Sequence, residues 1–397
     1  MIAWKKTFAS AFVAQVFSIL GFSFALPFLP FFIADLGVED KGEQAYWAGI
    51  TLASAGLTFA IFAPIWGVLA DRYGRKIMVC RSMFGGTAVL LLMSMVQTVG
   101  QLVACRLAQG ALTGTMAASV ALVASVVPQK RSGLTLGMMQ AAVYIGATIG
   151  PFFGGIVADA FGYRASFRAG ALLCLLGGLL VQFGTNENFV REEVENENSR
   201  ASSFKDILLL KGFFLAVTIK FGVHLSNTLI NPSFPLVIKD IVPASVNINS
   251  IAGTVMATAA LAGAFSAAFL GHAGDRIGKR RVLVGCCLIA CLASVGHFFA
   301  RNLNHLFAAR ILFGLAVAGM LPAANAMIHA VIDARSIGKA YGLATSISVV
   351  GIAVGPFLGG YLAKNAGLRM PFLATAAMQV LLAVMVLVCF RSKRRFV

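Results

Sequence analysis

Four polar side chains at helical spacing form the most informative chemical pattern in this sequence. They are Lys220, His224, Asn227 and Asn231. At about 100° per residue, spacings of 4, 3 and 4 place them within roughly 60° on one helix face. Apolar residues surround the pattern for the length of a membrane span, so this face is expected to line a water-filled chamber. A cation, an imidazole and two amides would suit a polar or negatively charged ligand.

Groups that could exchange a proton are few. All fifteen Asp and Glu residues fall in predicted loops, at span ends or in a central polar segment, and none lies mid-span. The candidates for carrying a proton are Asp35 at the end of the first span, Asp71 and His224. Without a buried acid, we expect a chamber containing Lys220 to repel lipophilic cations and to accept neutral, zwitterionic or anionic amphiphiles.

Composition indicates that the solvent of this chain is lipid. Of its 397 residues, 59% are hydrophobic and 12% are charged, whereas soluble domains carry about 25% charged residues. A span needs roughly 20 apolar residues, and the sequence contains twelve such runs. The runs cover residues 7–34, 46–70, 77–98, 101–127, 133–157, 165–185, 211–238, 249–271, 281–300, 305–331, 338–363 and 370–390. The predicted fold class is therefore an all-α integral membrane protein.

The basic residues predict the orientation. With the N-terminus inside the cell, 22 Lys and Arg residues fall inside and 7 outside, which is the positive-inside pattern. Both termini are then cytoplasmic. The net charge of +17 follows from topology, so it predicts no nucleic-acid partner. The seven cysteines lie in or beside spans and are odd in number, so no disulfide is expected. Cys286, Cys287 and Cys291 have no nearby carboxylate, so no metal site is predicted, and no cofactor is expected.

The second half of the chain repeats the first at an offset of 204 or 205. The charged turn Gly67–Lys76 corresponds to Gly271–Arg280. Other matching pairs are Pro27 and Pro232, Pro30 and Pro235, Arg106 and Arg310, and the runs 146–155 and 351–360. The repeat predicts two six-helix bundles related by a pseudo-twofold axis. Their predicted bounds are 1–185 and 211–397, joined by a cytoplasmic linker at 186–210.

Both charged turns place one Asp three positions before a Gly. Basic residues could simply hold these loops in the cytoplasm, but that does not explain the repeated Asp. Asp71 could accept hydrogen bonds from arginine or from a helix N-terminus in the other half, and Gly74 allows a tight turn. The gating candidates in the two turns are Asp71, Arg72, Gly74, Arg75, Asp275, Arg276 and Gly278.

Glycines at every fourth position form a smooth strip in the fifth and eleventh spans. Such a strip lets another helix approach closely, and a proline within it bends the helix. Ordinary helix packing and a role in gating are both compatible with this pattern. The candidates here are Gly146, Gly150, Pro151, Gly154, Gly355 and Pro356.

Together these motifs resemble the major facilitator superfamily. The run 146–155 is similar to that of its drug:proton antiporters, and the runs 26–30, 47–50 and 64–67 resemble the MdtG-type bacterial multidrug exporters. The resemblance implies that the charged turns latch the cytoplasmic face. It also implies that Arg106, followed by Gln109 and Gly110, takes part in proton exchange, although Arg106 could instead extend to the nearby outer interface.

Five further residues are candidates for the chamber, either as repeat mates of the polar pattern or as polar residues on single helix faces. They are Gln15, Phe22, Gln140, Tyr144 and Asn325. A lone polar residue in a span more often makes a helix–helix hydrogen bond than a ligand contact, so the polar pattern of the seventh span carries more weight.

We expect a proton-coupled antiporter of the bacterial inner membrane that exports amphipathic small molecules by alternating access. Its partners would be the substrate, protons and the lipid bilayer, and it would act as a monomer. A uniporter or symporter for an anionic metabolite or lysolipid stays open as the alternative. An enzyme is not expected, since no hydrolase, metalloprotease or nucleotide-binding motif occurs.

The charged turn leads to the first testable prediction. Asp71→Asn removes the negative charge but keeps the side-chain shape, so membrane insertion should be normal and transport should be impaired. Transport assays at matched membrane expression measure this. Transport at the wild-type rate would contradict the latch.

Overall fold

A computed structural model describes residues 3–187, 210–243, 247–329, 332 and 337–389. This part of the chain contains fifteen α-helices, one 3₁₀ turn and no strand. The helices are α1 (Ala3–Ala25), α2 (Leu29–Asp35), α3 (Lys41–Tyr73), α4 (Arg75–Met93), α5 (Val99–Leu112), α6 (Thr115–Val126), α7 (Gln129–Phe161), α8 (Tyr163–Gly184), α9 (Lys211–Leu229), α10 (Phe234–Ile241), α11 (Ile248–Ile277), α12 (Lys279–Phe299), α13 (Leu303–His329), α14 (Ile337–Ala366) and α15 (Met370–Cys389).

Twelve segments of the described residues are long and apolar enough to cross a membrane. They agree closely with the predicted runs. The first, for example, covers Trp4–Asp35 against a predicted 7–34, and the last covers Met370–Val388 against 370–390. The predicted fold class, an all-α membrane protein with twelve spans, is confirmed.

The first and seventh spans are each divided into two helices. A 3₁₀ turn at Leu26–Phe28 separates α1 from α2, and a turn at residues 230–233 separates α9 from α10. Prolines account for both breaks, because proline has no N–H to donate and fits best in the first turn of a new helix. Asn231 therefore lies in a turn, and the helical argument for the polar pattern covers its first three residues only.

The fourth span is also broken, at Thr113 and Gly114, although the sequence predicted one continuous run. Gly114 has a φ of 149°, which favours glycine. The Trp66 indole donates to the Ala111 carbonyl oxygen at 2.6 Å, so one acceptor exposed by the break is satisfied. The guanidinium of Arg81 stacks 3.4 Å from the Trp66 ring centroid. The corresponding tenth span is a single helix, α13.

Contacts divide the chain into two compact units. The first comprises the described residues of Met1–Gly37, Ser54–Glu195 and Ala244–Ala257. The second comprises those of Val38–Ala53, Asn196–Pro243 and Thr258–Val397. The beginning of α3 thus belongs to the second unit and the beginning of α11 to the first. The division of the chain at 185 and 211 stays a prediction.

In the first unit, the glycine strip of α7 packs directly on α1. A Cβ at Gly146 would lie 2.6 Å from Ile19 Cβ, and a Cβ at Gly154 would lie 2.6 Å from Phe24 Cα. Real Cβ atoms do not approach so closely, so this contact is possible only with glycine. The spacing predicted the close approach, and the structure identifies α1 as the partner helix.

In the second unit, the strip of α14 packs on α9 in the same way. A Cβ at Gly351 would lie 3.4 Å from the Leu225 amide nitrogen, and a Cβ at Gly359 would overlap the backbone of Leu229. Leu225 and Leu229 are the repeat mates of Leu20 and Phe24 on α1. The repeat in the sequence is therefore also a repeat of backbone contacts.

The glycine contacts predict opposite effects for two substitutions on the same helix. Gly154→Ala places a methyl group against the α1 backbone and should destabilise the protein by about 1–3 kcal/mol. Gly137→Ala is the matched control, because a Cβ there meets nothing within 4 Å, and it should be neutral or stabilise by about 0.5–1 kcal/mol. Thermal unfolding of the purified protein measures both changes, and equal melting temperatures would contradict the close packing.

Candidate functional site

The structure brings three of the four polar residues in the seventh span onto one face of α9. Lys220 is only 7% exposed, while His224 and Asn227 are half-buried. Asn227 Oδ1 has no hydrogen-bond partner among the described residues. Asn231 is exposed in the turn that follows α9. The buried ammonium group of Lys220 thus lies one helical turn from the imidazole of His224.

Gln15 and Phe22, the candidates on α1, have different surroundings. Gln15 is fully buried, and neither atom of its amide group has a hydrogen-bond partner within the described residues. Burying an amide without a partner costs roughly 1–3 kcal/mol or more, so water or a ligand is needed to satisfy it. Phe22 is half-buried, and its ring packs against Gly86 of α4.

The other chamber candidates occupy more accessible positions. On α7, Gln140 is exposed and Tyr144 is half-buried. Asn325 is half-buried on α13, in the second unit. Their place in a chamber stays a prediction.

Arg106 lies buried inside the first unit, and its part in proton exchange stays a prediction. It is 5% exposed and donates through Nη1 to Gln109 Oε1, one turn further along α5. Its repeat mate Arg310 lies over the rings of Phe234, at 4.3 Å, and Phe313, at 5.7 Å. Phe313 stands where the first half has Gln109. A cation–π contact thus takes the place of a hydrogen bond in the second half.

The charged turns have the backbone shape that their glycines predict. Gly74 has a φ of 96° and Gly278 a φ of 94°, a conformation that other residues rarely adopt. Asp71 and Arg72 are exposed, as is Arg276 in the second turn. The side chain of Asp275 lies outside the described part, and the latch itself stays a prediction.

Glu187 holds the first charged turn from a distant position. Its carboxylate accepts the backbone N–H of Arg75 at 3.0 Å and of Lys76 at 2.7 Å. Lys76 Nζ in turn donates to the Thr185 carbonyl oxygen at 2.8 Å. These N–H groups are the first two of α4, so Glu187 caps that helix from the end of the sixth span. Sequence reasoning missed this role and assigned Glu187 to the linker.

Two other gating candidates, Pro151 and Pro356, lie near the span ends that are predicted to face outwards. In the first unit, the Pro151 carbonyl oxygen faces Gly253 of α11, and Gly155 of α7 faces the backbone of Asn249. Substitution of either glycine would place a Cβ against backbone atoms. Asp35, the predicted proton carrier nearest this end, is exposed.

The second unit repeats this arrangement with the start of α3. The Pro356 carbonyl oxygen faces Gly49, and a Cβ at Gly360 would lie 3.0 Å from Tyr46 Cα. Gly355 packs against α9. Two ion pairs at the start of α3 were not predicted from the sequence. They join Glu43 to Lys364 of α14 at 2.7 Å and Lys41 to Asp240 of α10.

Comparison with known families agrees with this duplicated arrangement. Residues 11–222 and 216–396 each match the profile described as Major Facilitator Superfamily. The chain belongs to the major facilitator superfamily. The two matches begin 205 positions apart, which is the offset found in the sequence repeat.

Superfamily relatives match the chain over almost its whole length. It is 31% identical to the multidrug resistance protein MdtG of Proteus mirabilis (strain HI4320), over 99% of this chain and 98% of the relative. It is also 31% identical to the protein of that name from Klebsiella pneumoniae (strain 342), over 94% of this chain and 91% of the relative.

Solved structures of the superfamily share the fold. A bacterial homologue of the human lysosomal transporter Spinster, in an inward-facing and occupied conformation, superposes with a TM-score of 0.81 at 14% identity, covering 99% of this chain and 98% of its own. A D-xylose–proton symporter gives 0.77 at 15% identity, covering 97% of each chain. The protein is therefore a multi-pass membrane protein and a secondary transporter, and the prediction that it is not an enzyme is confirmed by its family.

Within this superfamily fold, Glu187 gives a specific prediction. Glu187→Ala removes the cap of α4 and should destabilise the protein by about 0.5–2 kcal/mol, the usual value of an N-terminal cap. Glu39→Ala is the charge-matched control, because Glu39 is exposed and, among the described residues, its backbone oxygen accepts a hydrogen bond from Gln44 while its carboxylate accepts none. Thermal unfolding compares the two, and equal melting temperatures would show that the cap does not contribute.

Proposed function

We propose that this transporter is a proton-coupled antiporter that exports amphipathic small molecules by alternating access. Its similarity to proteins named for multidrug resistance, over 99% of the chain, supports export of such molecules. The proposed charge of the substrate rests on one observation, the burial of Lys220 on the same helix face as His224.

The charge of Lys220 favours substrates that are neutral, zwitterionic or anionic. The sequence places no Asp or Glu in the middle of a predicted span, so a cationic substrate would meet this ammonium without a compensating acid. At an effective dielectric constant of about 20, two like charges about 6 Å apart repel by about 3 kcal/mol. Such a repulsion lowers affinity by about 100-fold.

Proton exchange needs a group that gains and loses a proton as the chamber changes sides. Histidine is the side chain that does so most readily near neutral pH, and His224 lies one turn from Lys220. Substrate and proton would then compete for the same polar face, which is the condition for antiport. Asp35, Asp71 and Arg106 are the other groups proposed to take part.

Lys220 also fits the alternative, a uniporter or symporter of an anionic metabolite or lysolipid, since either substrate carries a negative charge. Transport in proteoliposomes separates these functions. Collapse of the pH gradient should abolish accumulation by an antiporter or proton symporter and leave a uniporter unaffected. Reversal of the gradient separates antiport from symport, because each is driven by the opposite gradient.

Substitution of Lys220 tests the substrate preference. Lys220→Ala should lower transport of an anionic amphiphile by about 10- to 100-fold, the usual value of a hydrogen bond to a charged group. It should at the same time raise transport of a quaternary ammonium dye, and Lys220→Arg should retain the wild-type preference.

The matched control is Lys5→Ala, an exposed lysine near the N-terminus, which should leave both rates unchanged. Initial rates in proteoliposomes at equal protein density measure the preference. If the wild type exports the dye strongly and Lys220→Ala does not change that rate, the proposed substrate class is wrong.

A further inference from the structure

The carboxylate of Asp159 at the end of α7 makes contacts that the proposed mechanism does not yet use. Oδ1 accepts the backbone N–H of Asn249 at 3.2 Å and its Nδ2 at 2.8 Å. Oδ2 accepts the backbone N–H of Ser250 at 2.7 Å and its Oγ at 2.5 Å. Because α11 begins at Ile248, Asp159 supplies the N-terminal cap of a helix that begins about ninety residues later in the chain.

Such a cap depends on the charge of the carboxylate. A helix N-terminus carries partial positive charge and unpaired N–H groups, so it favours an anion. Both oxygens of Asp159 already accept two donors each. A proton on either oxygen turns an acceptor into a donor and displaces at least one of these bonds. Protonation of Asp159 and capping of α11 therefore oppose each other.

The cap closes a contact between backbones. Immediately below it, a Cβ at Gly155 would lie 3.0 Å from Ser250 Cα, and a Cβ at Gly253 would overlap the Pro151 carbonyl. The nearest described atoms at both points belong to the backbone. The glycines allow the two backbones to approach closely but form no bond between them. The four hydrogen bonds of Asp159 join α7 to the start of α11 at the end of this contact.

The titratable groups around Asp159 come from two other elements. Tyr163 of α8 interacts electrostatically with Asp159 and with Asp35, which ends α2. Arg164, also on α8, directs its guanidinium away, to the carbonyl oxygens of Ser94 at 3.0 Å and Val96 at 2.8 Å.

The equivalent position in the second half has the opposite charge. Lys364, 205 positions after Asp159, forms an ion pair with Glu43 at the start of α3. An ion pair between half-exposed groups is weak and sensitive to salt, whereas a carboxylate with four donors is sensitive to its own protonation. The two halves thus hold equivalent glycine contacts with different chemistry.

We propose that Asp159 is a proton-released latch on α11, at the side of the membrane predicted to face outwards. Ionised, it caps α11 and keeps the outward end of α7 against it; protonated, it releases α11 and allows this side to open. Asp159 takes this proton from the outside and returns it there, so it controls opening, while the transported proton moves on the groups of the proposed proton antiport, on which this coupling role rests. Asp159 is a positioning residue here and need not touch substrate.

Hydrogen–deuterium exchange of the full-length protein in lipid nanodiscs tests the latch, with rates corrected for intrinsic exchange at each pH. In the wild type, the amides of Asn249 and Ser250 should be protected at high pH and lose protection as the pH falls. Asp159→Asn should exchange at least about tenfold faster at high pH and lose the pH dependence. Asp159→Glu should restore part of it.

Lys364→Gln is the matched control, and it should leave protection at Asn249 and Ser250 as in the wild type. Should Asp159→Asn fail to fold, Ser250→Ala removes one donor and leaves the carboxylate, so protection should be lost at a higher pH. Wild-type protection and pH dependence in Asp159→Asn, or an unshifted profile in Ser250→Ala, would overturn the latch.

A transport measurement separates this inference from the proposed function. In proteoliposomes, Asp159→Asn should still carry substrate down its gradient, while a pH gradient should no longer drive accumulation. If a pH gradient does not drive accumulation by the wild type either, proton antiport is wrong, and the latch is then tested by the exchange data alone. If Asp159→Asn accumulates substrate as the wild type does, the coupling role of the latch is wrong.

Discussion

A charged side chain within a bilayer needs a partner or water, and this constraint governs where the cations of this chain lie. Arg106 donates to Gln109 within the first unit, and Arg310 stacks on Phe234 within the second. Lys220 is buried on a polar helix face and has no carboxylate on its own helix, α9. Lys220, on this polar face, is the cation that we propose to meet the substrate.

The two halves of the chain share their helix packing but differ in several polar side chains. The glycine strips of α7 and α14 use equivalent positions against α1 and α9, so helix packing is shared by both halves. The polar groups differ. Gln109 is replaced by Phe313, and Asp159 by Lys364. At these equivalent positions the two halves therefore differ in charge and polarity.

Local patterns in the sequence predicted the spans, the repeat and the glycine strip, since hydrophobic length and four-residue spacing leave direct traces in the chain. Contacts between distant positions left no such trace. Glu187 looked like any acid of a polar linker, and Asp159 like any acid at a span end, because nothing local indicates which helix N-terminus a carboxylate will cap. The break at Gly114 was missed because glycine is common inside unbroken membrane helices.

The central claim is that movement of an uncharged, zwitterionic or anionic amphiphile is coupled to opposite movement of protons. Proteoliposomes with a pH-sensitive dye inside and no imposed pH gradient test it most directly. A substrate gradient should then drive protons in the opposite direction, and the change should be larger for an anionic amphiphile than for a quaternary ammonium compound. No pH change with any substrate, or an equal change with the quaternary ammonium, would contradict the account.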